Sequence, residues 1–176
     1  VGSDPLNRIA TVGHSNRPFE DFLQILRAHG VGRIADVRRY PTSQRWPHFS
    51  ATSLAESLPA AGIDYVPMAV LGGRRKARPD SPHTAWRVEA FRGYADFMDT
   101  AEFREALAEL EALARARFSA VMCAEALPWR CHRSLLADSL IARGWQVVEI
   151  LSPKEAKPRA LPDFARVDGD RVVYDR

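Results

Sequence analysis

Lysine and cysteine are the scarce residues of this chain. Only Lys76, Lys154 and Lys157 are lysines among 25 basic side chains, and only Cys123 and Cys131 are cysteines in 176 residues. Two cysteines are too few for the disulfide framework of a small secreted scaffold. No apolar run approaches the ~20 residues that span a bilayer, so no membrane partner is expected. No signal-peptide pattern opens the chain, and a cytoplasmic protein is the expectation. There is no internal repeat, no low-complexity tract and no linker-like stretch. With 46% hydrophobic and 27% charged residues, the composition excludes a disordered tail and a coiled coil. The length is that of one domain with its own core.

The remaining cations are all arginine, and the formal net charge is +3. Arginine's planar donor fork suits phosphate and base edges, which makes a nucleotide or nucleic acid a plausible partner. A GC-rich coding bias also favours arginine, so the argument rests on where the arginines sit.

Ile9-Ala10-Thr11-Val12, stopped by Gly13, reads as a buried strand. Pro18 suits a first helical turn, Phe19, Phe22, Leu23 and Leu26 keep helical spacing, and Gly30 can end that helix. Ile34 to Val37 is a second strand, Leu54, Leu58 and Ala61 mark a short helix, and Tyr65-Val66 a third strand. Residues 72–87 are rich in Arg, Pro and Gly without periodicity, and read as a long exposed loop. Helices are expected over 91–98 and 101–117, a fourth strand over 120–123, a helix over about 128–143 and a fifth strand over 146–150. Arg166-Val167 and Arg171 to Tyr174 flank an Asp168-Gly169-Asp170 turn, a possible C-terminal β-hairpin. Alternating strands and helices predict a single compact α/β domain over 1–176, its mainly parallel sheet flanked by helices.

The chemically capable residues follow the predicted strands. His14-Ser15 comes after the first, Asp36-Val37-Arg38-Arg39-Tyr40 ends the second, and Gly72-Gly73-Arg74 follows the third. Cys123-Ala124-Glu125, then Arg130-Cys131-His132-Arg133, follow the fourth. In open α/β sheets ligands bind outside the carboxyl ends of the strands, so these segments are expected to share one site.

Gly13-His14-Ser15, Asp36-Val37-Arg38, Leu71-Gly72-Gly73, Phe91-Arg92-Gly93-Tyr94-Ala95-Asp96, Cys123-Ala124-Glu125 and Cys131-His132-Arg133, in this order, resemble the family called domain of unknown function 488. The resemblance covers roughly residues 9 to 150 and leaves 151–176 as a C-terminal extension. It implies an α/β fold and a bacterial or archaeal cytosolic protein, and it carries no settled reaction.

Several chemistries compete for the shared site. Thiol phosphatases place a Cys, five residues and an Arg around phosphate. Here six residues separate Cys123 from Arg130, with Pro128 and no Gly between them, which disfavours that loop. Cys123, Cys131 and His132, with Glu125 or His14, could ligate zinc, but Cys131 and His132 are adjacent and the paired spacing of familiar zinc sites is absent. No cofactor and no metal are therefore expected. A Cys123–Cys131 redox pair has no spacing motif behind it either. An anion site is better supported: Arg130 and Arg133 stand near the start of the predicted 128–143 helix, and Arg38 and Arg74 can approach from neighbouring strand ends. Arg38, Arg39, Tyr40, Arg45 and Trp46 interleave cations with aromatics, as do Arg74 and Tyr94, a pattern able to neutralise phosphates and stack bases.

The leading expectation is an enzyme acting on a nucleotide or nucleic acid, in DNA or RNA maintenance, by hydrolysis of a glycosidic or phosphate bond. Glu125 or Asp36 would serve as base or electrostatic stabiliser and His14 or His132 as proton partner, with Ser15 and the arginines on the ligand. Glu125 is expected at the pocket floor as the group on which activity depends, with Cys123 packed beside it as a small hydrophobe. The alternatives are a non-catalytic nucleic-acid-binding module and a Cys-dependent phosphatase or redox enzyme.

Overall fold

The computed structural model describes residues 7–176, so the first six residues of the expected domain lie outside the description. In chain order the elements are β1 (Arg8–Gly13), α1 (Phe19–Ala28), β2 (Arg33–Asp36), α2 (Ala51–Ala60), β3 (Asp64–Pro67), α3 (Glu89–Met98) and α4 (Ala101–Ala116). There follow β4 (Ser119–Cys123), α5 (Arg133–Ala142), β5 (Gln146–Ile150), β6 (Ala156–Pro158), β7 (Arg166–Asp168) and β8 (Arg171–Val173). Six strands form one sheet in the order β3-β2-β4-β1-β5-β6. All are parallel except β6, which runs antiparallel to β5.

Alternation along the strands divides the core in two. Ala10, Val12, Ile34, Ala120 and Met122 pack under Phe22 and Leu26 of α1 and Leu54 and Leu58 of α2. Ile9, Ala35, Val37, Val121 and Val147 face α3, α4 and α5, represented by Tyr94, Leu107, Leu110, Leu136 and Leu140. The helices of the two connections leading outward from β1 to β3 thus lie on one face, and those of the two returning toward β5 on the other. A single crossover hand requires that arrangement. The sheet is covered on both sides, which is why its central strands read as continuous apolar runs.

The expected strands are all present, and α1 to α4 fall within a few residues of their predicted bounds. The expected 128–143 helix is two elements: a 3₁₀ turn at Pro128–Arg130, then α5 from Arg133. Cys131 between them has extended backbone, with φ −137° and ψ 145°, so Arg130 is not in the first turn of the helix. Strand β6 was not expected. Ala156-Lys157-Pro158 has no alternation of its own and is a strand only because it pairs with β5. The terminal hairpin forms, with Asp168 paired to Arg171 and the turn centred on Gly169-Asp170. Gly169 takes the left-handed backbone, φ 67°.

That hairpin is anchored in the core. Tyr174 Oη donates to Asp138 Oδ2 at 2.7 Å, and Arg159 Nε donates to Asp138 Oδ1 at 2.8 Å. Burial pushes the Asp138 carboxyl up to about 6, against the pull of Arg159.

Between β1 and β4 the chain approaches itself too closely for any side chain. A Cβ on Gly13 would overlap the Glu125 carbonyl oxygen. Because the obstacle is backbone, Gly13→Ala is expected to cost at least about 1–3 kcal/mol and to displace the turn after β4. Denaturant unfolding and crystallography of the variant check this.

Candidate active site at the carboxyl edge of the sheet

Strands β2 and β4 are neighbours whose outgoing connections leave in opposite directions, and that divergence opens a crevice at their carboxyl ends. A cleft of about 320 Å³ occupies it. Arg38, Arg39 and Tyr40 reach it from the end of β2, Gly73 and Arg74 from the loop after β3, and Phe91 from α3. Cys123 and Glu125 enter from β4, and Arg130, Cys131 and His132 from the approach to α5.

Beneath the cleft on the α1–α2 side lies a buried polar chain. Asp36, the last residue of β2, accepts Arg38 Nε at 2.8 Å and Nη2 at 2.6 Å, Tyr65 Oη at 2.6 Å, and the Arg38 amide at 3.1 Å. Arg38 Nη1 reaches His14 Nε2 at 3.3 Å, and His14 Nδ1 donates to the Ser15 carbonyl at 2.7 Å. The His14 ring stacks on Phe49 at 4.4 Å. Burial draws the His14 imidazole down to about 4, so it is neutral at pH 7.

On the opposite face, Arg133 at the start of α5 is fully buried. Its Nη1 donates to Cys123 Sγ at 2.7 Å and to the Glu125 carbonyl, and its Nη2 donates to the Ala126 carbonyl at 3.0 Å. No carboxylate pairs with it among the described residues, so the countercharge within reach is a Cys123 thiolate. Burial opposes that thiolate, but the hydrogen bond from Cys131 and the charge and hydrogen bond of Arg133 outweigh burial. The Cys123 thiol falls from 9 to about 7. The Cys131 thiol moves far the other way, because it donates to Cys123 and is itself buried. His132 Nε2 donates to the Val37 carbonyl at 2.9 Å and its Nδ1 lies 3.4 Å from Cys131 Sγ. Burial holds the ring neutral, at about 4. Gly73 permits its loop to lie on that ring, since a Cβ there would come 2.9 Å from His132 Nδ1.

Eight of the residues singled out in the sequence line one cleft: Arg38, Arg39, Tyr40, Arg74, Cys123, Glu125, Arg130 and His132. His14, Asp36 and Arg133 are buried directly against it, and Ser15 joins through its amide bond to the Ala124 carbonyl, 2.9 Å. Others are placed elsewhere. Tyr94 is fully buried and donates to the Leu71 carbonyl at 2.8 Å, so it cannot stack a base. Trp46 packs half-buried against the α1–α2 core with Arg45 5.5 Å above its ring, outside the cleft lining. Arg133 commits its Nη1 and Nη2 donors to the protein rather than to a ligand, and its Nε is buried without a partner. Asp36 is committed to four donors and has no place as a free base. Glu125 is exposed on the cleft wall instead of sitting at its floor, because β4 ends at Cys123 and the chain turns outward.

Tyr65 and Phe49, the partners of Asp36 and His14, were not singled out from the sequence. A tyrosine two positions before the end of a half-buried parallel edge strand was the available signal for the first; for the second it was the aromatic end of the arginine-rich run 38–49. The zinc reading of Cys123, Cys131 and His132 finds no cluster of ligand atoms. Among the described residues the group close enough to hold an ion is His83, Asp96 and Asp99. Its atoms already bond to one another and to Tyr174, Arg171, Ser81 and Arg78.

The class is an open α/β protein with a basic, thiol-bearing cleft at its topological switch point. The chain belongs to the family described as domain of unknown function DUF488, whose model matches residues 18–140. No curated protein and no solved structure matches it. No helix is long and apolar enough to cross a membrane among the described residues.

The thiolate of Cys123 is expected to appear as pH rises through about 7. In Arg133→Met the midpoint should climb toward the ordinary thiol value of 9, with the neutral form favoured at every lower pH. Thiolate ultraviolet absorbance and the pH profile of alkylation measure both midpoints; equal midpoints in the two proteins would refute the role of Arg133.

Proposed function

We propose that this protein is an enzyme that hydrolyses a phosphate ester of nucleotide size, using the Cys123 thiolate as nucleophile. The observation that carries the reading is the Cys123 sulfur held 2.7 Å from a buried guanidinium, beneath a cleft whose Arg39, Arg74 and Arg130 have no carboxylate partner among the described residues. Those cations favour a phosphate, and about 320 Å³ suits a small ligand. Tyr40, 60% exposed, has Arg39 and Arg74 each 5.6 Å from its ring and offers a face for a base.

The Sγ electron pair forms an S–P bond as the P–O bond to the leaving group breaks. The departing oxygen takes a proton from water in the open cleft. A second water then attacks phosphorus, Glu125 accepts its proton, and phosphate departs as the thiolate is restored. The geometry thus supports the cysteine over the carboxylate as the group that attacks. Turnover should be sought on nucleoside phosphates and short oligonucleotides. Cys123→Ser is expected to abolish turnover while binding persists, and Glu125→Gln to accumulate the phosphoryl-cysteine, seen by intact mass. If Cys123→Ser turns over normally and Glu125→Gln is dead without any adduct, the carboxylate mechanism replaces this one.

A second reading, a module that binds single-stranded nucleic acid, is favoured by one observation. Trp129, beside Arg130, is 63% exposed, giving with Tyr40 two exposed aromatics among unpaired arginines. Three phosphate contacts give a slope of about −2 for log affinity against log salt, and Arg74→Ala should flatten it by roughly 0.7. Fluorescence anisotropy on a short single strand measures both; undetectable binding at ~50 mM salt removes this reading.

A further inference from the structure

We propose that Cys131 is a resolving cysteine for Cys123, and that a peroxide converts the pair into an intramolecular disulfide across the floor of the cleft. The two sulfurs arrive from different elements, Cys123 from the end of β4 and Cys131 from the extended residue before α5. Both line the cleft and both are free thiols. Arg133, whose guanidinium holds Cys123 Sγ at 2.7 Å, lies two residues from Cys131, and each thiol shifts the titration of the other, so the two are close neighbours. Neither thiol is open to bulk water, with 2% and 6% exposure, so the cleft is the route for an oxidant and a small one is required.

Their surroundings differ in the way the two roles demand. Cys123 faces the Arg133 guanidinium, which favours the thiolate that attacks peroxide. Cys131 faces His132 Nδ1 at 3.4 Å. Because His132 Nε2 donates to the Val37 carbonyl, which can only accept, the neutral ring carries its proton there. Nδ1 therefore presents a bare lone pair within reach of the Cys131 sulfur and can take its proton once Cys123, oxidised, no longer accepts it. Glycine at 73 keeps that nitrogen covered by backbone rather than by a side chain.

In the first step the Cys123 thiolate attacks one peroxide oxygen and the O–O bond breaks. The departing hydroxide takes a proton from solvent, leaving a sulfenic acid and water. In the second, Cys131 gives its proton to His132 Nδ1 and its sulfur attacks the sulfenic sulfur. The S–S bond forms as the S–O bond breaks, and hydroxide leaves with the proton from His132 as a second water. Two equivalents of a small thiol reverse the reaction and emerge as their own disulfide.

This inference goes beyond the phosphate-ester reading and does not rest on it, since its readout is covalent mass rather than turnover. The full chain is treated with hydrogen peroxide at pH 7.5, above the thiolate midpoint of about 7, and digested without reduction. A peptide pair linked through Cys123 and Cys131, loss of both thiols per chain and recovery with dithiothreitol are expected. In Cys131→Ser, dimedone should instead trap a sulfenic acid at Cys123. His132→Gln should slow disulfide closure more than tenfold while leaving the dimedone-trapped first step unchanged. Dimedone-labelled Cys123 beside a free Cys131 in the wild-type chain, disulfides only between chains, or two unreacted thiols in excess peroxide would each overturn it.

Discussion

The buried guanidinium of Arg133 is the constraint around which the carboxyl edge of the sheet is arranged. A cation removed from water needs compensation, and a carboxylate is the usual source. Here the compensation comes from two carbonyls of the turn after β4 and from a sulfur. One side chain thereby fixes the exit path of β4, sets the start of α5 and charges Cys123. The same turn is held from below, where His14 and Ser15 continue the β1–β4 ladder through the Cys123 and Ala124 carbonyls. Side chain and backbone restrain the Cys123 sulfur from opposite directions.

The polar chain of Tyr65, Asp36, Arg38 and His14 does for β2 what Arg133 does for β4. Asp36 satisfies one edge of the Arg38 guanidinium, so the side chain that reaches the cleft does so from a fixed position. A fork held in this way gives up less conformational entropy on meeting an anion than a free surface arginine. The half-buried Arg39 and the exposed Arg74 and Arg130 supply the remaining positive charge. Arg39 donates to the Arg74 carbonyl at 2.8 Å, and Arg74 adopts a left-handed backbone, φ 61°. Local strain of that kind concentrates at sites that use it.

Much of this was legible from residue order alone. Apolar runs ended by Gly, Asp or Cys located the parallel strands, because burial on both faces leaves no alternation to misread, and strand ends located the cleft. What escaped was set by tertiary contact. Strand β6 borrows its conformation from β5. The break at Cys131 is invisible to a helical reading that sees only Leu135, Leu136 and Leu140 at the right spacing. The place of Glu125, on the cleft wall rather than at its floor, escaped for a related reason. Assigning the base from strand position presumes that β4 continues past Cys123, whereas Arg133, ten residues on, bends the chain away. Tyr94 and Trp46 illustrate the other blind spot: an aromatic beside arginines has the same sequence signature whether it stacks a ligand or fills the core.

The position of β1 bears on how this family should be dissected. The matched segment begins at residue 18 and ends at residue 140, yet the strand lying between β4 and β5 precedes it and β5 itself follows it. A fragment cut at those limits would lack the middle of its own sheet, and Asp138 would be stranded without Tyr174 or Arg159. The unit of sequence kinship and the unit of folding are therefore different objects here. Expression boundaries, domain transplants and chimaeras belong outside β1 and beyond the terminal hairpin.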